Sequence, residues 1–296
     1  MSEFLQQLLN GLSLGAIYAL IAIGYTMVYG VLRFINFAHS DVFMAGAFIG
    51  LYAARLVPAG TFAGGFAVLG IAMVGCAALG ILIERLAYRP LRNAPTLNVL
   101  ITAIGVSLFL EYSGQKFFGA APQRFPAIFP VREFQLGSVT ISSNQLTVIG
   151  VTAVLVIALR FIVFGTKMGT AMRAVSLNPK AAQLVGISND VIISFTFGLG
   201  SAMAAAGGIL YALNYPSIDP LMGVMPGLKA FVAAVLGGIG SIPGAALGGL
   251  ILGIVETFVA GSHLSTGKDA IAFSILILIL LFRPTGLLGK SRVEKV

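Results

Sequence analysis

Lys229 and Glu256 are ionisable residues at the margins of long apolar segments. Charge in such surroundings is costly, so these groups are usually paired or face a water-filled cavity, or else snorkel to an interface. Counting outward from a turn centred at Ile242–Pro243 puts them at similar depth on adjacent arms. They either approach each other or flank one polar cavity, or each snorkels on its own. A second cluster, RFINFAHSD at residues 33–41, is the densest polar group beside an apolar run. One reading is helix capping, with Ser40 or Asp41 opening the next helix. The other is a broken helix beside a permeation path, where half-helix ends and the side chains of Asn36, His39 and Asp41 meet a substrate.

The remaining motifs argue against catalysis. The glycine-rich run GGIGSIPG at residues 237–244 lacks the βαβ context of a nucleotide site. Gly238 and Gly240 read instead as a tight turn in a helical hairpin, with Gly244 and Gly248 packing its arms. The run GSHLSTGKD at residues 261–269 has five residues between its glycines, and Asp269 stands where a phosphate loop needs Ser or Thr. We therefore expect no ATP site, no bound cofactor and no enzyme activity. Cys76 is the single cysteine, and His39 and His263 are far apart, which gives no metal spacing and no nucleophilic triad.

The elements that must hold these residues follow from composition. Charged residues make up 9% of the 296, and hydrophobic residues 58%. Mean hydropathy is +0.99. Soluble domains carry about a quarter charged residues, so most of this surface must face lipid. Backbone polar groups in lipid are satisfied only in helices or closed barrels, and the apolar runs do not alternate at period two. The expected fold is an all-α integral membrane protein, one domain over residues 1–296. It is a polytopic bundle of about eight or nine spans near 8–30, 42–57, 64–83, 96–117, 145–164, 189–213, 228–241, 244–260 and 270–282. A full span takes about 20 residues, so 42–57, 228–241 and 270–282 fit either tilted spans or re-entrant segments.

Placing the N-terminus outside puts Arg33, Arg85, Arg89, Arg92, Arg160, Lys167, Arg173, Lys180, Arg283, Lys290, Arg292 and Lys295 on the cytoplasmic face, 12 of the 18 Lys and Arg. That distribution follows the positive-inside pattern and does not form a nucleic-acid-binding stripe, so the net charge of +8 implies no nucleic acid partner. The segment 119–144 is then an outer loop, broken by Pro122, Pro126 and Pro130, with a small hairpin around Gly137. The segment 165–188 is an inner loop holding a short helix, with Asn178 at the N-cap, Pro179 first and Gly186 as the stop. Glycines four apart recur at Gly11/Gly15, Gly46/Gly50, Gly60/Gly64, Gly244/Gly248 and Gly249/Gly253, the spacing of close helix contacts in lipid.

At these residues the chain resembles the permeases of branched-chain amino acid ABC importers of the LivH type. INFAHSDVFMAGAF at residues 35–48 is similar to the family's NFAHGD…MxGA signature, with Ser40 where glycine is usual. The loop residues Ala181, Ala182 and Gly186 are similar to the segment with which ABC permeases contact their ATPases, with Lys180 in place of the usual Glu. GLKAFVAAVLGGIGSIPG at residues 227–244 and FRPTGLLG at 282–289 also match. The resemblance runs nearly end to end. It implies a permease of the branched-chain amino acid/ribose superfamily in a bacterial inner membrane, multi-pass, and the Lys and Arg count puts its N-terminus outside and its C-terminus inside. It implies alternating access driven by two ATP-binding subunits, with a paralogous permease and a soluble substrate-binding protein as further partners. Arg173, Asn178, Pro179, Lys180, Ala181, Ala182 and Gly186 would couple to the ATPases. Asn36, His39, Asp41, Lys229 and Glu256 would border the path. A urea or short-amide permease of the same family is the alternative, and an ATP-independent carrier or channel a more distant one.

Overall fold

A computed structural model describes residues 2–289 apart from 59 and 93. Lys290, Arg292 and Lys295, counted above on the cytoplasmic face, lie outside the described residues. The chain opens with α1 (Ser2–Leu32), α2 (His39–Ala53) and α3 (Phe62–Ile83), which continues through a π turn at Glu84–Tyr88. Then come α4 (Thr96–Phe118), β1 (Gln123–Arg124) and a hairpin of β2 (Glu133–Leu136) and β3 (Val139–Ser142). The second half holds α5 (Ser143–Gly165), α6 (Lys167–Leu177), α7 (Pro179–Leu184), α8 (Asn189–Asn214) and β4 (Ser217–Ile218). It closes with α9 (Val224–Gly237), α10 (Ile242–Ala260) and α11 (Lys268–Phe282).

Seven helices among the described residues are long and apolar enough to cross a membrane. With α2 and α9 they give the expected helical bundle. The segment expected at 270–282 proves long enough to span once the turn from Ser265 is included. By contrast α2 and α9, with 15 and 14 residues, stay short. At 1.5 Å per residue each is about 22 Å long, less than the bilayer core.

Most of α1 is buried, and it packs most extensively on α10 and α8. Glycine makes this possible. A Cβ at Gly15 would lie 2.7 Å from Leu250 Cα, and one at Gly253 2.2 Å from Gly15 N. The Gly11/Gly15 and Gly249/Gly253 pairs therefore mesh face to face, which brings the α1 and α10 backbones together. Gly46 and Gly50 do the same for α2 against Ala205 and Ile209 of α8. The Gly60/Gly64 spacing is no such pair, because Gly60 sits in a turn at φ +80° and Gly64 abuts Pro58 of its own turn. Gly253→Leu is expected to lower the unfolding free energy in detergent by about 3 kcal/mol or more, since the clash is with backbone. Gly150→Leu on α5, where the space is open, is expected to leave thermal unfolding unchanged.

The α9–α10 turn falls at Gly238–Ser241, earlier than the expected centre at Ile242–Pro243, which instead open α10. Gly238 and Gly240 have φ of +102° and +95°, a region glycine enters without strain. Ser241 caps α10 by accepting from Gly244 N at 3.3 Å. Gly244 and Gly248 fit against Gly237 and Ala233 across the hairpin. The closing segment folds back on this turn. Leu287 N and Leu288 N donate to the carbonyls of Leu236 and Gly237, both at 2.9 Å, and so satisfy the open end of α9.

The loop after α4 is ordered by two small sheets. β1 pairs antiparallel with β4 and β2 with β3, the latter turning at Gly137 with φ +65°. Gln6 pins this hairpin to α1, donating to Thr140 O at 3.1 Å and accepting from Thr140 N at 2.9 Å. At the other end of the bundle the segment 165–188 contains two helices. α7 was expected from Asn178-Pro179, and α6 is additional, capped by Thr166, which accepts from Gly169 N at 3.1 Å.

Candidate functional site

Three polar groups are set into this apolar frame. The first joins four helices. Lys229 Nζ of α9 donates to Glu256 Oε1 of α10 at 2.6 Å and lies 2.6 Å from Asp269 Oδ1 of α11. Tyr18 of α1 donates to Glu256 Oε2 at 2.8 Å. Lys229 and Glu256 are 5% and 6% exposed, so neither snorkels to a surface. The hairpin glycines set the arms close enough for this contact. The sequence left open whether Lys229 and Glu256 approach, flank one cavity or snorkel apart, and the fold brings them together. Their partners Tyr18 and Asp269 were not foreseen, because Tyr18 lies inside a run that reads as featureless apolar helix and Asp269 opens α11, whose place beside α9 the sequence does not announce.

The second group lies where α1 hands over to α2. Arg33 ends α1 with φ +56°, the only non-glycine residue with positive φ among those described. Asn36 Oδ1 accepts from Tyr88 Oη at 2.5 Å, and Asp41 Oδ2 accepts from Ser107 Oγ at 2.5 Å. His39 fills a notch left by Gly24, whose added Cβ would lie 2.2 Å from the ring, and sits 4.7 Å from the Tyr25 ring centroid. Asn36, His39 and Asp41 are all buried. The capping reading is not met. α2 begins at His39 after Ala38 with no side-chain cap, and Ser40 Oγ donates back to Phe37 O at 2.9 Å. Instead, the starts of two separate helices come together here. Gly223 and Gly227 press on Ser40, so the N-terminal ends of the short helices α2 and α9 meet here. No hydrogen bond or ion pair among the described residues joins this group to Lys229 and Glu256.

The third group lies at the end of the bundle that carries α6 and α7. Glu84, fully buried in the π turn, accepts from Ser194 Oγ of α8 at 2.6 Å and is paired with Arg92. Arg92 and Arg89 both pair with Asp190 at the start of α8. Next to Asp190, Asn189 Nδ2 donates to Pro179 O of α7 at 3.0 Å. A continuous polar tie therefore runs from α7 through α8 to α3. Of the residues expected in the coupling loop, Asn178 caps α7 by accepting from Ala181 N at 3.1 Å. Ala182 is buried, Pro179, Lys180 and Ala181 are exposed, and Gly186 ends the turn at φ +85°. Arg173 is tied back to α5, donating to Val163 O at 2.5 Å and standing over the Phe164 ring. Glu84 and Asp190 were missed in the sequence, where each looks like an ordinary charge at a helix end.

The family model for the permease component of branched-chain amino acid transport systems matches residues 7–282. The chain is 44% identical to the high-affinity branched-chain amino acid transport system permease protein BraD of Pseudomonas aeruginosa, over 99% of this chain and 98% of that one. It is 46% identical to the corresponding permease protein LivH of Escherichia coli, with the same coverage. A family model that covers residues 7–282 and near-full-length relatives at 44% and 46% identity show that the chain belongs to the family of branched-chain amino acid transport system permeases.

Proposed function

We propose that this chain is the membrane permease subunit of an ATP-driven importer of branched-chain amino acids. The observation that carries the reading is the near-full-length likeness to BraD and LivH, which are named as permease proteins of high-affinity branched-chain amino acid transport systems. ATP hydrolysis is assigned to two separate subunits, and delivery of substrate to a soluble binding protein. A paralogous permease completes the pathway. The location is the bacterial inner membrane, with the N-terminus and the 119–144 hairpin loop outside and the 165–188 loop in the cytoplasm.

α6 and α7 support this arrangement. Leu184 and Val185 at the end of α7 are 89% and 76% exposed, an apolar tip beside a basic loop. Such a tip suits insertion into a groove of an ATPase subunit. ATP-driven closure of the ATPase pair would shift the permease between two states, with α7 as the contact. Leu184→Glu and Val185→Glu are expected to release the ATPase subunits on co-purification, while stability changes by less than about 0.5 kcal/mol because both side chains are exposed.

The reading is tested with the complex co-purified from membranes and reconstituted in liposomes. Leucine with its binding protein is expected to stimulate ATP hydrolysis, and urea is not. Stimulation by urea alone would overturn the substrate class. Failure of any ATPase subunit to co-purify would overturn the mechanism.

A further inference from the structure

At the hairpin end of the bundle a cleft of about 490 Å³ opens between the start of α1, the start of α5 and the ends of α8 and α10. That volume suits a small ligand. Its walls are not those of a lipid-facing surface. Asn10 of α1 accepts from Gln145 of α5 at 2.7 Å, and Ser13 accepts from Asn214 of α8 at 2.9 Å. These bonds fix the spacing of the walls. Asn144 of α5 donates to Leu213 O at 3.1 Å, a further tie between α5 and the end of α8.

Charge is arranged along the cleft. Glu256 lies at its floor and Lys268 on its exposed rim. Behind Glu256 stand Lys229 and Asp269. The four charges cancel, so a ligand with a net charge would be left unbalanced, whereas one carrying both signs would not. Leu14 and Leu213 add an apolar patch beside the polar groups.

We infer that this cleft is an entry subsite for an α-amino acid held as its zwitterion. The ammonium group faces Glu256, the carboxylate faces Lys268, and an aliphatic side chain lies along the cleft wall at Leu14 and Leu213. This rests on the import reading above and adds a binding step on the permease itself, after release from the binding protein.

The test uses the purified complex without binding protein and a reporter thiol, Ala260→Cys. Ala260 is an exposed residue lining the cleft. Cys76 is buried, so maleimide uptake on this chain reads the new thiol. Leucine at ten times its dissociation constant is expected to slow labelling about tenfold. Leucinamide, which lacks the carboxylate, and N-acetylleucine, which lacks the ammonium, are expected to give no protection. Lys268→Gln is expected to abolish protection by leucine. Equal labelling with and without leucine, in a complex whose ATPase still responds to leucine-loaded binding protein, would overturn the subsite and leave the import reading standing. Protection by leucinamide as strong as by leucine would overturn the zwitterion assignment. Absence of both protection and ATPase stimulation would overturn both.

Discussion

Lys229→Met is expected to destabilise the protein by about 3–5 kcal/mol, the cost of leaving a buried charge without its partner. The geometry makes the effect asymmetric. Lys229 is the cation that both Glu256 and Asp269 face, at 2.6 Å each. Removing it leaves two carboxylates close together in a largely apolar setting. Removing Glu256 instead leaves Lys229 still paired with Asp269, and Tyr18 loses one hydrogen bond. Glu256→Leu is therefore expected to cost less, about 1.5–3 kcal/mol, the range for a lost hydrogen bond to a charged group. The double variant Lys229→Met/Glu256→Leu is expected to recover part of the loss of Lys229→Met, because only Asp269, itself 42% exposed at its side chain, then remains unpaired. Thermal unfolding of the four proteins in one detergent measures this cycle. Equal losses for the two single variants would show that Asp269 does not share Lys229.

The second large effect concerns the opposite end of the bundle. Glu84→Gln is expected to reduce leucine-stimulated ATP hydrolysis by about tenfold, equivalent to about 1.4 kcal/mol of lost coupling. Glu84 is the buried anchor of the tie that runs through Arg92 and Asp190 to Asn189 and Pro179. Without its charge, Arg92 remains paired with Asp190 but is released from α3. Movement of α7 would then reach α8 and stop there. Asp190→Ala, at a position 46% exposed, is expected to weaken stimulation in the same direction while changing stability by less than about 1 kcal/mol. Assay of ATPase rate with and without substrate-loaded binding protein, beside co-purification yield, separates coupling from assembly. Full stimulation in both variants would assign the network to structure alone.

The sequence made much of this frame legible where physics acts locally. Asn178-Pro179 and Gly186 marked α7 because caps, a fixed φ and a positive φ are properties of single residues. Gly137 marked its hairpin for the same reason. Glycines four apart marked the α1–α10 seam, although the same spacing at Gly60/Gly64 proved to be a turn. That difference depends on which neighbour approaches, and local spacing does not carry it. Lys229 and Glu256 were visible as candidates on adjacent arms of a hairpin, but the count used a turn centre at Ile242–Pro243 and the turn falls at Gly238–Ser241. The partners Tyr18 and Asp269 come from helices that meet only in the folded bundle. Glu84 was the hardest to see. A Glu beside an Arg at the end of a span reads as a solvated helix terminus, and only the π turn and the approach of Ser194 bury it. The α1–α2 junction was half legible: its polar residues were visible, but the meeting of two short helices at Ser40 required the fold.

The central claim is ATP-driven import of a branched-chain amino acid, and uptake of labelled leucine into proteoliposomes tests it most directly. The vesicles would contain this chain with its partner subunits, ATP in the lumen on the α6–α7 side, and the binding protein outside. Leucine accumulation is expected to require hydrolysable ATP and the binding protein and to be lost with Leu184→Glu. Leucine uptake by this chain alone, unaffected by ATP or by the Leu184 substitution, would contradict it.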